Sequence, residues 1–563
     1  MNRRPLPIGV EFYKDMKKKP YYYVDKTLMV RDILEKGGKV NLFTRPRRFG
    51  KTLTLQMLRT FFEQEIDRDG RVVDNRHYFD GTRIAAAGEV YTSRMGQYPV
   101  ISLSLKSAKQ PNFEAAYTRL REEIAGEYKR HRYLLQSDHI LQKDKEIYQE
   151  LMNREGSRDD YATSLRFLSE CLAAHHGRQA VILIDEYDVP LENAYFRGFY
   201  DEMIDFIRSL FESALKTNEN LELAVITGCL RISRESIFTG LNNLRIISIL
   251  DESFAEYFGF TQAEVTAMLD YYGIGEREEE VKNWYDGYLF GETEVYNPWS
   301  VIYYVNDIIE RNTEFPKPYW SNTSSNGIVR ELVDGADDTA KSELETLIGG
   351  GTVEKPIHEE ITYGEIYKNP DNLWNFLFFT GYLKAVSKRF LADTIYLTLT
   401  IPNAEIRYIY RNAICEWFDE RKKTYDYTPF YEGMRTGDCE AIENFINGQL
   451  QESISYHDSA ESFYHGYLLG ILGGIGGYRI YSNREHGNGR PDILLEPNNP
   501  RMPAMIIEIK RAQKFGQMEA LCDDALAQIE ERRYAFPLLD EGYQKIYKYG
   551  FCFCKKSCMV KFV

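Results

Sequence analysis

The residues best suited to chemistry lie in two short stretches that are far apart in the chain. The first stretch is FTRPRRFGKTLTL at Phe43–Leu55, where an apolar strand meets a glycine–lysine–threonine turn and an amphipathic helix follows. Backbone N–H groups of such a turn, together with the positive end of the helix, surround phosphates. Lys51 would reach the β and γ oxygens and Thr52 would ligate magnesium, so the sequence predicts a site for a nucleoside triphosphate.

A pair of acids supplies the expected partner of this loop. The run VILIDEYD at Val181–Asp188 reads as a buried strand that ends in carboxylates. Adjacent residues at the end of a strand point to different sides. We therefore expect Asp185 to hold the magnesium ion through water, and Glu186 to orient and deprotonate an attacking water.

Polar and basic residues complete the predicted nucleotide site. The strand Leu221–Thr227 places Thr227 where a polar group senses a γ-phosphate, and Arg231 or Arg234 follows as a cation for the transition state. For Arg231 and Arg234 the alternative is a surface loop with solvated arginines, and for Arg47 a side chain that faces solvent. Arginines in the loop could clamp phosphates or bind a nucleic acid backbone. We assign the nucleotide to the whole loop: Arg45, Pro46, Arg47, Arg48, Phe49, Gly50, Lys51 and Thr52.

The second stretch is GRPDILLEPNNPRMPAMIIEIK at Gly489–Lys510. Asp492 precedes one short strand, and Glu508 and Lys510 occupy alternate positions of a second, so they project to the same face. The two carboxylates would bind Mg²⁺ or Mn²⁺, the metal would activate water, and Lys510 would stabilise developing negative charge. This spacing predicts a metal-dependent phosphodiesterase site with Asp492, Glu508 and Lys510 as catalytic residues.

Further polar residues and one competing interpretation accompany this second site. Glu461 and Glu485 are weaker candidates for an extra metal ligand, and Gln528 for a supporting polar contact. A solvated acid at the start of a helix explains Glu461 as well. A surface strand with a solvated acid and base is disfavoured, because unpaired charges in the apolar run MIIEIK would be costly. A degenerate fold that binds nucleic acid without cutting it stays open.

Composition excludes several classes of protein. The chain has 563 residues, of which 43% are hydrophobic and 28% charged, which is typical of globular domains rather than of disordered or fibrous chains. The net charge of −15 argues against a protein that coats polyanions, although Met1–Arg59 holds 15 basic and 5 acidic residues. No apolar run reaches the roughly 18 residues of a membrane span, and no leader is evident, so we expect a cytoplasmic protein without membrane contact.

Alternating strands and helices predict a parallel sheet wrapped by helices over residues 1–290. A helical region follows at residues 291–403, where a helix and two β-like runs favour a winged-helix unit, with a generic α+β connector as the alternative. Residues 404–458 read as a helical linker. Residues 459–563 read as a final α/β domain with a helix, three strands, a second helix and a last strand.

Four strings in the first half resemble a known family. They are LPIGVEFYKDMKKKPYYYVDKT, FTRPRRFGKTLTLQML, VILIDEYD and ITGCLRISRESIFTGLNNL, and they are similar to the bacterial AAA-ATPase-like family. The resemblance implies an additional-strand P-loop ATPase fold in which Arg45 replaces the usual first glycine of the loop. The segment from about Glu461 to Phe562 resembles the PD-(D/E)XK nuclease superfamily domain commonly fused to that family, with Asp492, Glu508 and Lys510 as the matching residues.

Together these observations predict an enzyme of two chemistries. We expect an ATPase and a Mg²⁺- or Mn²⁺-dependent nuclease whose cleavage of DNA or RNA is gated by ATP, in DNA processing or in defence against mobile elements. Arginines that act between subunits would make the protein a homo-oligomer. The alternative is a non-cleaving switch, in which ATP rearranges the domains and the terminal domain binds nucleic acid or a protein partner.

Overall fold

The computed structural model describes residues 3–230, 237–238, 241–311, 313, 315–320, 338–358, 370–410, 426–453, 461–482, 489–499 and 501–563. Close packing groups the chain into two compact units. The first contains Met1–Thr323, Lys355–Leu397 and Pro402–Glu405. The second contains Ser324–Glu354, Thr398–Ile401 and Ile406–Val563. In the part of the chain that is described, no helix is long and apolar enough to cross a membrane.

A five-stranded parallel sheet forms the centre of the first unit. Its three central strands are buried on both faces, which explains their nearly continuous apolar sequences. The phosphate-loop strand Val40–Thr44 is not adjacent to the acid strand Ala180–Asp185, because Leu221–Gly228 lies between them. The predicted α/β fold with an additional strand is thereby confirmed. The strand order is Val100–Ser104, Ala180–Asp185, Leu221–Gly228, Val40–Thr44 and Leu244–Ile247.

Helices cover both faces of this sheet, and local sequence signals set their ends. Ser157 and Asp160 form a capping box before helix Arg158–His176, and Gly177 ends it in a left-handed conformation. The helices are Tyr13–Lys18, Met29–Lys36, Lys51–Phe62, Glu89–Thr92, Phe113–Arg130, Gln142–Asn153, Arg158–His176, Val189–Arg197 and Tyr200–Leu215. Short 3₁₀ helices are Arg76–Phe79, Lys106–Ala108 and Arg132–Gln136, and a small hairpin pairs Glu65–Ile66 with Val72–Val73.

A smaller layer follows the parallel sheet within the first unit. Three short antiparallel strands pack with helices around a core that includes Val265, Leu269 and Tyr304. The strands are Phe260–Thr261, Tyr288–Phe290 and Thr293–Tyr296. The helices are Gln262–Tyr272, Glu278–Tyr285 and Pro298–Ile309, with 3₁₀ turns at Ala255–Tyr257 and Gly275–Arg277.

The middle of the chain contains the predicted helix followed by two strands. Helix Pro370–Phe379 precedes Lys384–Leu391 and Thr394–Thr400, and Val353–Ile357 adds a third strand beside Thr394–Thr400. Helix Asp338–Ile348 lies upstream of them in the chain. The order of elements suits a winged helix, and contact of this segment with nucleic acid stays a prediction.

The second unit is built on a mixed five-stranded sheet. Adjacent strands in this sheet run antiparallel, except for the pair Ala504–Arg511 and Ile546–Cys554, which is parallel. Helices Thr428–Thr436 and Cys439–Ser453, predicted as linker, bury Phe430, Ile442 and Leu450 in its core. The strand order is Tyr478–Ser482, Ile493–Pro497, Ala504–Arg511, Ile546–Cys554 and Ser557–Phe562. The remaining helices are Glu461–Leu472, Met518–Glu531 and Phe536–Asp540, with a 3₁₀ turn at Phe515–Gln517.

Candidate functional sites

The backbone of the phosphate loop, residues 45–52, leads directly into helix Lys51–Phe62. Gly50 precedes this helix with φ of 82°, a left-handed conformation that glycine adopts without steric cost. A Cβ on Gly50 would meet no atom within 4 Å, so the conformation rather than crowding requires glycine here. The first N–H groups of the twelve-residue helix have no intrahelical acceptor, and they present a partial positive charge to the loop. The predicted loop therefore has the backbone of an anion-binding turn.

Lys51 lies over the loop with its amino group held by main-chain oxygens. Its Nζ donates hydrogen bonds to the carbonyl oxygens of Arg45 and Pro46, both at 2.9 Å. The side chain is buried, and Cys229 Sγ lies 3.5 Å from the same nitrogen. A phosphate oxygen in the loop would offer this ammonium a charged acceptor, which makes a stronger hydrogen bond than a carbonyl.

Three predicted side chains from separate elements meet at the carboxyl end of the sheet. Thr52 Oγ1 donates to Asp185 Oδ2 at 2.6 Å, and Thr227 Oγ1 donates to Asp185 Oδ1 at 2.5 Å. Asp185 is buried at the end of its strand. A hydroxyl beside a carboxylate at the start of the loop helix is a set of hard oxygen donors, which suits Mg²⁺.

Glu186 stands next to this group in a strained backbone conformation. Its φ is 53°, which is uncommon for a residue with a side chain. Burial raises the pKa of its carboxyl above the ordinary value, and the charge of Asp185 raises it further. A carboxyl whose pKa moves toward neutral pH is suited to take a proton from water. The structure thus places Glu186 beside the predicted metal ligands.

Arg45 occupies a position that differs from the predicted phosphate clamp. The guanidinium is fully buried and donates to the carbonyl oxygens of Thr44 and Ile247, at 2.9 and 3.1 Å. It lies over the rings of Phe258 and Phe290, and burial lowers its pKa to about 9. Neither Nε nor the second terminal nitrogen has a hydrogen-bond partner. The side chain therefore belongs to the protein interior, and only the carbonyl of Arg45 faces Lys51.

The other side chains of the loop also contact protein groups. Arg47 donates to both carboxylate oxygens of Glu192, at 2.7 and 2.6 Å. The guanidinium of Arg48 stacks 4.2 Å above the ring of Trp299. Phe49 is buried, with ring-centroid distances of 4.9 Å to Tyr288 and 5.3 Å to Phe290. These contacts fix the loop against helix Val189–Arg197 and the small antiparallel sheet.

Asp188 is a functional candidate that the sequence interpretation did not include. Its Oδ2 accepts hydrogen bonds from the backbone N–H groups of Cys229 and Leu230, at 2.7 and 3.0 Å. Burial raises the pKa of this carboxyl, and its Oδ1 has no hydrogen-bond partner. A Cβ on Gly228 would lie 2.4 Å from the Tyr187 ring, so this approach requires glycine. Asp188 thus anchors the segment that leads to Arg231, which, like Arg234, lies outside the described residues.

The second site forms where two antiparallel strands and one helix of the second unit meet. Asp492 Oδ2 accepts a hydrogen bond from the backbone N–H of Ile509 at 2.8 Å, which fixes the carboxylate beside the neighbouring strand. Glu508 Oε2 and Lys510 Nζ lie 3.9 Å apart on that strand. The strand register places Ile493 opposite Ile507, so Asp492 reaches the level of Glu508. The side chains of Asp492, Glu508 and Lys510 therefore lie close together, as the sequence predicts.

Gln528 joins the acid and the lysine from helix Met518–Glu531. Its Oε1 accepts from Lys510 Nζ at 2.6 Å, and its Nε2 donates to Glu508 Oε2 at 3.0 Å. The supporting contact predicted for Gln528 is therefore present. The amide holds the ammonium close to the carboxylate while keeping the two groups from forming a short ion pair.

The two carboxyls share an environment that favours a cation. Glu508 is 2% exposed, and burial followed by the charge of Asp492 raises its pKa to about 8. Glu508 Oε1 is buried and has no hydrogen-bond partner. A divalent ion would supply the missing partner and offset the repulsion between the acids, so the residues present fit Mg²⁺ or Mn²⁺. Within the described ranges, no group of three or more His, Cys, Asp or Glu side chains is arranged to hold a metal.

Two further side chains support the backbone around Asp492, and sequence reasoning assigned neither of them a role. His465 Nε2 donates to the carbonyl oxygen of Asp492 at 2.8 Å, and Tyr534 Oη donates to the carbonyl oxygen of Arg490 at 3.3 Å. The role of His465 could have been suspected from the sequence, because it is a histidine in the otherwise apolar helix Glu461–Leu472. Glu485 and the side chain of Glu461 lie outside the described part of the chain.

Two family models match separate parts of the chain. Residues 7–238 match the family model described as "Predicted AAA-ATPase", and residues 459–563 match that of the PD-(D/E)XK nuclease superfamily.

A relative described as "Uncharacterized protein in vnfD 5'region", from Azotobacter chroococcum mcd 1, is 28% identical over 335 residues. This alignment covers 59% of the chain and 57% of that relative. No solved structure matches the chain. The resemblance predicted from the sequence strings is confirmed: the chain contains an AAA-ATPase-like domain, followed at its C-terminal end by a domain of the PD-(D/E)XK nuclease superfamily.

Proposed function

We propose that this protein binds and hydrolyses ATP in its first unit and uses ATP to control the metal-dependent cleavage of DNA or RNA by its last domain. The observation that carries the proposal is the convergence of Asp492, Glu508 and Lys510 around a buried, unpartnered carboxylate oxygen. The arrangement of Thr52, Thr227 and Asp185 beside an anion-binding turn supports the nucleotide half.

In the first unit, the residues of the loop would bind and orient a triphosphate. Main-chain N–H groups after Gly50 would surround the phosphates, and Lys51 would exchange its two carbonyl partners for phosphate oxygens. Thr52 and Asp185 would hold Mg²⁺, which would neutralise charge on the phosphates. Glu186 would accept a proton from the attacking water, and Thr227 would keep Asp185 in place.

In the last domain, the side chains divide the work of phosphodiester hydrolysis. Asp492 and Glu508 would hold Mg²⁺ or Mn²⁺, and the bound metal would activate water and polarise the phosphate. Because burial raises the pKa of Glu508 to about 8, this carboxyl must lose a proton when it takes a cation. Lys510, held by Gln528, would stabilise negative charge on the phosphate during the displacement.

A cleavage assay with single-site variants tests the proposal. The full chain is incubated with single- and double-stranded DNA and RNA and Mg²⁺ or Mn²⁺, with and without ATP. Asp492→Ala and Lys510→Ala should abolish products, and Lys51→Ala should abolish only their dependence on ATP. Lys561→Ala is the control for Lys510→Ala, because this lysine belongs to the same sheet but pairs with Asp523 and Glu519 rather than with Glu508 or Gln528.

The outcomes separate the two functions that the sequence left open. Metal-dependent products that disappear in Asp492→Ala support the nuclease. Nucleic acid binding without products under every condition would instead favour an ATP-driven switch, and products that persist in Asp492→Ala would assign cleavage to another site or to a contaminant.

A further inference from the structure

Strand Lys384–Leu391 is the outer strand of the three-stranded sheet in the middle of the chain, and residues 386–391 of it are exposed. Large apolar side chains are among them: Phe390 is 71% exposed, and Val386 and Leu391 are each 51% exposed. Successive residues of a strand point to opposite sides, so solvent reaches both faces of this half of the strand. Proteins usually cover or blunt such an edge, so its exposure indicates a binding surface.

The charge of this strand is positive. It contains Lys384, Lys388 and Arg389 and no acid, in a chain whose net charge is −15, and the turn that follows it adds Asp393. Lys388 and Arg389 are exposed, whereas Lys384 is half-buried. The guanidinium of Arg389 lies 5.1 Å from the ring centre of Tyr396 on the neighbouring strand. Two cations beside an exposed phenyl ring provide phosphate contacts and a stacking surface, the two interactions by which proteins hold single-stranded nucleic acid.

The segment just before this strand lies against the phosphate loop. Gly381, between helix Pro370–Phe379 and the strand, has φ of 90°. A Cβ on Gly381 would lie 2.9 Å from the Cβ of Pro46 in the loop and 3.3 Å from the ring of Tyr288. The Tyr288 ring also contacts Phe49 of the loop, with 4.9 Å between the centroids. Because Gly381 is three residues from the start of the strand, a shift of Pro46 would be passed directly to it.

We propose that strand Lys384–Leu391 binds single-stranded DNA or RNA, and that nucleotide in the phosphate loop controls this binding through the contact of Gly381 with Pro46. Phe390 would stack on a base while Lys388 and Arg389 contact phosphates. A duplex keeps its bases paired and stacked, so it would offer the ring less contact. The inference rests on the proposed function, because the control requires a nucleotide in the loop. It adds a nucleic acid surface in the first unit, separate from the residues proposed for cleavage.

Fluorescence anisotropy with labelled oligonucleotides tests the inference. The full chain carries Asp492→Ala so that the probes are not cut. It is titrated into single-stranded DNA, single-stranded RNA and duplex DNA with Mg²⁺, with and without a non-hydrolysable ATP analogue. Phe390→Ala removes the stacking ring, and Phe315→Ala is its matched control, because both rings are 71% exposed. Thermal unfolding of each variant reports whether the fold is kept.

Two further changes test the cations and the contact with the loop. Lys388→Gln combined with Arg389→Gln removes both exposed charges. Its matched control changes Lys129 and Arg132 to glutamine, because these are likewise an exposed lysine and an exposed arginine of the first unit. Gly381→Ala introduces a Cβ that must displace Pro46.

Phe390→Ala should weaken the binding of single strands by about 10-fold, and that of the duplex by less, whereas Phe315→Ala should change neither. Loss of both cations should lower the slope of log affinity against log salt concentration by about 1.4 for single strands, and the control pair should leave it unchanged. The ATP analogue should change the affinity of the otherwise unmodified chain by at least about 5-fold, and Gly381→Ala should alter that factor.

The contrary results are distinct from one another. Single-strand binding that is unchanged both in Phe390→Ala and without the two cations would overturn the inference and leave the proposed function standing, because the last domain alone would then hold the strand. Equal losses for duplex and single strands would overturn the choice of single strands. Affinity that is independent of the analogue, or a factor unchanged in Gly381→Ala, would overturn the control by nucleotide. Self-association that Phe390→Ala abolishes in sedimentation would assign the strand to contacts between copies of the chain, and no binding of any probe would overturn both proposals.

Discussion

Replacing Glu508 by glutamine is expected to stabilise the last domain while removing its affinity for metal. In the folded chain, burial and the neighbouring charge of Asp492 raise the pKa of the Glu508 carboxyl from 4.5 to about 8. Between these values the folded state keeps a proton that the unfolded state has released. Folding stability of wild type therefore falls as pH rises from about 4.5 to about 8 and is level beyond it. Glutamine has a similar shape and does not titrate, so the stability of the variant should not fall in this way as the pH rises.

The expected size follows from the pKa difference. One pKa unit corresponds to about 1.4 kcal/mol, so wild type should lose about 3 kcal/mol relative to Glu508→Gln between pH 5 and pH 7. Hydrogen exchange of peptides from strand Ala504–Arg511 measures the opening of this domain alone. Comparing variant and wild type at the same pH cancels the pH dependence of the exchange chemistry. The ratio of their protection factors should grow by about 100-fold over this range.

A matched variant and a metal titration complete this test. Glu531 is exposed on helix Met518–Glu531, so Glu531→Gln should leave the ratio unchanged with pH. In wild type the affinity for Mn²⁺ should rise by about 10-fold per pH unit up to about pH 8, because one proton leaves for each ion bound. A protection ratio independent of pH would refute the buried, protonated state of Glu508 on which this reasoning depends.

Three further outcomes concern polar side chains with internal hydrogen-bond partners. In Arg45→Met the first unit should be as stable as in wild type, or more stable by about 1 to 2 kcal/mol, because two guanidinium nitrogens of Arg45 are buried without hydrogen-bond partners. Urea unfolding measures this difference, and a loss of stability above about 2 kcal/mol would contradict the reasoning. Asp188→Ala should cost about 2 kcal/mol by leaving two N–H groups unpaired, whereas Asp188→Asn keeps an acceptor and should cost less, as thermal unfolding would show. Gln528→Ala should slow cleavage by about 10-fold or more with little change in nucleic acid affinity, since Lys510 loses its support; unchanged rates would make the amide dispensable.

The sequence was sufficient where chemistry follows from strand geometry. Asp185 and Thr227 lie at the carboxyl ends of neighbouring parallel strands, and Thr52 lies in the first turn of the helix that follows the phosphate loop. Their contact could therefore be expected from the order of these strands and this helix along the chain. Alternation along one strand likewise placed Glu508 and Lys510 together.

Prediction was harder where long-range contacts decide the role of a side chain. Arg45 has the sequence context of a phosphate-binding cation, but Phe258 and Phe290, more than 200 residues away, enclose it. The edge strand Leu244–Ile247 is only partly buried, so it lacks the continuous apolar run that marked its neighbours. The role of Asp188 depends on a segment about 40 residues later, which no local pattern indicates.

Anomalous scattering from crystals of the full chain grown with Mn²⁺ and a non-hydrolysable ATP analogue would test most directly whether the protein has two cation sites for phosphate chemistry. Our account predicts one manganese peak beside Thr52 and Asp185, next to the phosphates of the analogue, and a second between Asp492 and Glu508. Peaks at neither pair, or manganese bound only elsewhere on the surface, would contradict it.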